Sequence, residues 1–244
     1  MDHVLELATA MQRYAELADA AFGNEPVPSC PGWTVDDLTG HLGTMHRWSA
    51  SILLSGQRLD EPVGVTITEP RADWYAPTAA ALLEVVRAVS ADEPTPNFAR
   101  VHETAAFWPR RQTHETTIHV VDAGLALGLG PDGTPISPEL AADGVDEVLG
   151  VFLPRMTARG QRPHLEGRVR FVATDTGRTW VVGESPDAMR TPILLFAGEA
   201  DADADGEVSG TAIDLYLGLW GRVERERLTT SGAGRDLVRG PLVP

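Results

Sequence analysis

The chain has 244 residues, enough for one large domain or two small ones, and its 43% hydrophobic and 23% charged content is that of an ordinary globular protein. With 35 acidic against 20 basic side chains the formal charge is −15 and the isoelectric point about 4.8, which argues against nucleic acid or an anionic membrane surface as partner. No apolar run is long enough to span a bilayer, the amino-terminal stretch carries acids without a basic segment, and the single cysteine fits a reducing compartment, so the expected location is the cytoplasm.

Val4, Leu7, Ala8, Met11, Tyr14, Leu17 and Ala21 recur at helical spacing and predict a first helix over residues 3–22. NEPVPSCPGW breaks it with three prolines. Cys30 in that break has two readings, a thiolate stabilised by the following helix or a small residue packing the turn, and the second is the expectation. Thr34 then stands as an N-cap, with Asp36 and Asp37 in the first turn of a helix through Leu38, His41, Leu42 and Met45 toward Leu53. Residues 56–76 read as a long loop, and Pro77 as the first-turn residue of a third helix, TAAALLEVVRAVSA. After a second break, a fourth helix is expected to begin between Ala105 and Pro109 and to reach Leu127, ended by the glycines of GLGPDG. Four such helices are the content of an antiparallel bundle.

The pattern changes from residue 137. Ser137 caps and Pro138 opens the helix SPELAADGVDEVLGVFLPRM, and RVRFVATDTGRTWVVGES alternates as two strands about a Thr-Gly turn. TPILLFAG reads as a strand and EVSGTAIDLYLGLWGR as a helix, while the tail RERLTTSGAGRDLVRGPLVP is short and polar, without a neat strand-plus-helix ending. The expected fold class is α followed by α+β: a helical bundle over residues 1–136 and a small α+β domain over 137–244.

Chemistry concentrates in RRQTHETTIHVVDAG. Glu115 and His119, four residues apart, lie ~40° apart on one helix face, the arrangement of half a divalent-metal site or of a solvated surface pair. A zincin would need His-Glu-x-x-His, whereas His114 and His119 stand ~140° apart. His41 sits on the side of Leu38, Leu42 and Met45, facing the bundle interior. There it is either a hydrogen-bonded core residue or a third ligand to the inward Glu–His pair. His46 should point elsewhere, and His102, His114 and His164 read as surface or outer residues. Asp122 either orients a ligand imidazole or pairs with Arg111 or solvent. Gly128-Leu-Gly130-Pro-Asp-Gly133 matches a dinucleotide fingerprint literally but follows a helix, so it reads as a turn. Asp201-Ala-Asp203-Ala-Asp205-Gly206 begins like a calcium loop, yet its twelfth position is Ala212, so it reads as a flexible acidic loop. No G-x-S-x-G elbow supports a serine hydrolase.

PSCPGWTVDDLTGHLG, the later HETTIHVVDAG and the closing GTAIDLYLGLWGR occur in an order that resembles the mycothiol-dependent maleylpyruvate isomerase family, within the DinB-like superfamily of metal-binding four-helix bundles. The resemblance covers nearly the whole chain. It implies a DinB-like antiparallel four-helix bundle with zinc on His41, Glu115 and His119, mycothiol as cosubstrate, and Arg222 as a catalytic residue holding a substrate carboxylate. A helix C-terminal cation is the competing reading of Arg222. The activity implied is isomerisation of the maleylpyruvate type, or thiol S-transfer to a small electrophile. The alternatives are a metal-dependent hydrolase using zinc-bound water and a non-catalytic metal- or small-molecule-binding protein.

Overall fold

The computed structural model describes residues 1–60, 62, 65, 67, 70–161, 165, 167–184, 192–194 and 204–244. His164 and most of the acidic run from Asp201 lie outside the described residues. The chain divides into two compact units, Met1–Pro135 and Ile136–Pro244.

Among the described residues the first unit holds four helices: α1 (His3–Ala20), α2 (Val35–Ser55), α3 (Arg71–Ala88) and α4 (Phe107–Ala126). α1 packs on α4 and α3, and α2 packs on the same two, so the bundle runs in the ring order α1, α4, α2, α3. Leu7, Tyr14, Leu38, Leu42, Leu82 and Trp108 fill its core. Asp2 caps α1 by accepting from the Val4 and Leu5 amides. Thr34 and Asp37 close a reciprocal capping box on α2, and Gly56 ends that helix with φ 63°, a left-handed cap that glycine adopts without strain.

α3 departs from the expected start. It begins at Arg71, six residues before Pro77, which lies inside it. An interior proline removes a helix hydrogen bond at a cost of ~3 kcal/mol. Burial of Trp74 and Tyr75 on the helical face offsets that cost, and so does Arg71. Its guanidinium donates to the carbonyls of Ala18, Ala21 and Phe22 and to Asp36 Oδ1, capping α1, whose own last turn has no basic residue.

The second unit opens with α5 (Pro138–Glu147), capped by Ser137 Oγ, which accepts from the Leu140 amide. A π-helical turn over Val148–Phe152 leads into α6 (Leu153–Ala158), whose second residue, Pro154, lacks the N–H. Among the described residues five strands follow in the order β3-β2-β1-β4-β5, with β1 (Val169–Ala173), β2 (Thr179–Glu184), β3 (Pro192–Leu194), β4 (Gly206–Gly210) and β5 (Thr229–Gly232). β1 and β2 form the expected hairpin, while β1 and β4 pair in parallel through a crossover. EVSGTAIDLYLGLWGR is not one helix: its first residues form β4, and α7 (Ala212–Leu219) starts after Thr211, whose side chain accepts from Asp214 N. The tail is also a correction. It forms β5 and α8 (Ala233–Arg239), because β4 offers an open edge that the polar TTSG segment completes by backbone pairing.

Candidate metal centre

α4 is polar yet buried on most of its circumference. Arg111, Gln112, Thr113, His114, Thr116, Thr117, His119 and Asp122 are all buried along it. Trp108, Ile118, Val120 and Val121 supply the helix's apolar burial, and the polar groups buried beside them must find partners inside the bundle.

Arg111 and His119 find theirs around Glu115. His41 Nε2 on α2 lies 3.1 Å from Glu115 Oε1, and His119 Nε2 lies 3.4 Å from the same oxygen. The three ligand atoms fall within 4.8 Å of one another, and the two imidazole rings meet edge to face at 5.1 Å. The other carboxylate oxygen accepts from Arg111 Nη2 at 2.7 Å, one turn earlier on α4. Burial by itself would raise the Glu115 carboxyl, but the Arg111 charge and the two imidazoles outweigh it and hold it well below the usual carboxylate range. Burial would lower His119; its hydrogen bonds to Asp122 and Glu115, with their charges, push it up instead to about 9.

Behind His119, Nδ1 faces Asp122 Oδ2 at 2.9 Å, the orienting position, while Arg111 serves Glu115. Asp122 also accepts from Ser29 Oγ at 2.5 Å, and Cys30 Sγ stands 3.6 Å from Oδ2. Cys30 is half-buried, and its thiol meets a carboxylate as well as packing the turn. The Trp33 ring lies against His41 with centroids 4.9 Å apart. The i, i+4 spacing of Arg111 and Glu115 was readable in the sequence; the parts played by Ser29 and Trp33 had no local signal.

Among the described residues, the other histidines lie outside this cluster. His46 is fully buried, with Nε2 3.1 Å from Thr116 Oγ1, and burial pushes it down to about 3, so it is neutral. His114 is not a surface residue: it is fully buried, 6.5 Å in ring centroid from His3. His102 is exposed at φ 41°. Arg222 follows α7 in the second unit, where its Nη1 donates to the Trp220 carbonyl at 2.6 Å, the contact of a helix C-terminal cation.

A four-helix bundle with two imidazoles and a carboxylate converging inside it, followed by a small α+β unit, defines the class of protein. Residues 4–124 match the mycothiol maleylpyruvate isomerase N-terminal domain, and residues 139–239 match the MDMPI C-terminal domain, MDMPI being that isomerase. The chain belongs to the mycothiol maleylpyruvate isomerase family. No curated protein sequence matches it. Among solved structures it is similar to the crystal structure of the mycothiol-dependent maleylpyruvate isomerase, at TM-score 0.60 and 14% identity. It is also similar to the structure of a histidine-to-alanine mutant of that isomerase, at 0.61 and 11%. Each alignment covers 94% of this chain and 92% of the other, and at these identities the likeness establishes the fold.

Proposed function

We propose that this family member is a zinc- and mycothiol-dependent enzyme acting on a small electrophile, with His41, Glu115 and His119 as the metal ligands. The observation that carries the reading is the convergence of His41 Nε2, Glu115 Oε1 and His119 Nε2 inside the bundle. Two imidazole nitrogens and a carboxylate oxygen are the donor set of a catalytic zinc with an open position, and the Asp122 contact behind His119 is the outer support such ligands use. A zinc ion held by His41, Glu115 and His119 would supply Lewis acidity, which lowers the pKa of a thiol and favours thiolate at neutral pH.

The chain's own residues do the remaining work. Arg111 keeps Glu115 ionised and ready to ligate, and His119 Nδ1–H donates to Asp122 Oδ2, leaving Nε2 facing Glu115. Cys30 faces Asp122, so the nucleophilic sulfur is assigned to the cosubstrate. Arg222 is the proposed anchor for a substrate carboxylate, through the two parallel hydrogen bonds a guanidinium can give.

Isomerisation is the reaction this reading favours. The thiolate sulfur adds to the activated double bond of an unsaturated diacid, a C–S bond forming as the π pair moves toward the conjugated carbonyl. The carbons then rotate about their single bond. The returning electron pair rebuilds the double bond in the trans form and expels the thiolate, so nothing is oxidised and the thiol is regenerated. With an epoxide or a leaving group as electrophile the thiolate would instead form the C–S bond as the C–O or C–leaving-group bond breaks, the electron pair departing with the oxygen or leaving group, so the thiol is consumed in S-transfer.

The test is zinc content per chain, purified without chelator, followed by turnover with and without thiol. About one equivalent of zinc, lost in His119→Ala, and turnover only with thiol are expected. Catalytic thiol marks the isomerase, and stoichiometric thiol consumption marks S-transfer. Absence of zinc even after it is offered back would end the reading, and turnover without thiol would replace it with a hydrolase.

A further inference from the structure

The segment between α1 and α2 is tied at its base. Pro26 and Thr34 form an antiparallel bridge, and the Val27 amide donates to the Trp33 carbonyl at 2.9 Å. Within it the Cys30 amide donates to Val27 O, and the Trp33 amide to Cys30 O. Side chains projecting from a loop so closed are held in place, and they reach the cluster on two sides. Trp33 lies against His41, while Ser29 and Cys30 reach Asp122 from more than ninety positions away in sequence.

We propose that Ser29 and Asp122 form a positioning relay that fixes the orientation of His119. The proposal rests on the metal reading above and adds to it the source of the imidazole's alignment. Asp122 is 0% exposed, and its two oxygens face different partners, Oδ1 meeting Ser29 and Oδ2 meeting both His119 and Cys30. Oδ1 accepts from Ser29 Oγ at 2.5 Å, and Oδ2 accepts from His119 Nδ1 at 2.9 Å. A carboxylate only accepts, so the proton on the Asp122–His119 line belongs to Nδ1, which leaves Nε2 facing Glu115 Oε1. The Ser29 bond prevents the carboxyl plane from turning about its side-chain axis and carrying Oδ2 off that line. Ser29 acts on the cluster through Asp122, to which its hydroxyl donates. A serine that merely packed the loop would need no such bond, and its hydroxyl would be replaceable.

The experiment measures zinc affinity by competition with a chromophoric chelator, together with the visible absorption of the cobalt-substituted protein, which reports ligand geometry. Asp122→Asn keeps the shape but no longer offers a charged acceptor, and is expected to weaken zinc by ~10–100-fold. Ser29→Ala should weaken it by roughly three- to tenfold and alter the cobalt spectrum, and Ser29→Thr, which keeps the hydroxyl, should return both to within about threefold of the wild type. Ser29→Ala should add no further loss on top of Asp122→Asn, because the two act in one chain. Wild-type affinity and spectrum in Ser29→Ala, or losses that simply add, would overturn the relay. The Ser29 pair decides the matter even where the buried Asp122→Asn change prevents folding. A wild type that takes up no zinc would instead remove the metal reading beneath the relay, a result seen before any variant is compared.

Discussion

Glu115 shows how a buried charge is kept in place. Its carboxylate is balanced by Arg111, itself 3% exposed, and breaking such a buried pair from one side typically costs ~3–5 kcal/mol. Arg111→Met is therefore expected to lower the stability of the metal-free protein by ~3 kcal/mol in urea denaturation, and Glu115→Gln added to it should recover most of the loss. His46 sets a pH dependence. Its folded-state pKa of about 3 lies below the ordinary 6.5, so the unfolded chain binds the extra proton, and the stability it contributes is lost as pH falls from 6.5 toward 3. Glu115 acts in the same direction in acid, while His119, raised to about 9, contributes stability that is lost as pH rises through that value. Comparing wild type with His46→Leu isolates the first effect: denaturation midpoints of the variant should fall less steeply between pH 6.5 and pH 4.

The α2–α3 contact shows two substitutions of opposite sign. A Cβ on Gly43 would meet Trp74 Cζ3 at 2.1 Å, so Gly43→Ala must push the indole aside. The expected loss is about 1–3 kcal/mol, read as a lower melting temperature. Pro77 is an exposed interior residue of α3, and Pro77→Ala restores a helix hydrogen bond, so stability should rise by ~1–3 kcal/mol. Apolar stripes mark α1 and α2 in the sequence, with the Thr34 cap on α2, while α4 is marked only by the breaks that flank it, the last being GLGPDG. The sequence pattern misplaced the start of α3 because a proline ordinarily marks a first turn, and the compensation lies in Trp74, Tyr75 and Arg71 meeting other helices. β5 escaped notice for a similar reason: a four-residue polar strand becomes a strand only beside β4.

In the molecule as a whole, the proposed ligands all belong to the first unit, so zinc should act on that unit's stability. A ligand present at a hundred times its dissociation constant adds ~2.7 kcal/mol to the state that binds it. Scanning calorimetry with and without zinc should show a transition raised in the wild type and unmoved in His119→Ala. The two units are joined near Pro135, where GLGPDG ends α4 with two left-handed glycines and a 3-10 turn over Pro131–Gly133. Among the described residues no helix is long and apolar enough to cross a membrane. What could be read along the chain was whatever repeats within a few residues: helical stripes, caps, and the Glu115–His119 spacing, since one helical turn already sets which side chains share a face. His41 meets Glu115 across 74 positions, and Ser29 meets Asp122 across 93. Contacts at that range depend on how four helices and a closed loop pack together, a collective free energy that no short window of residues contains, and only the folded structure decided them.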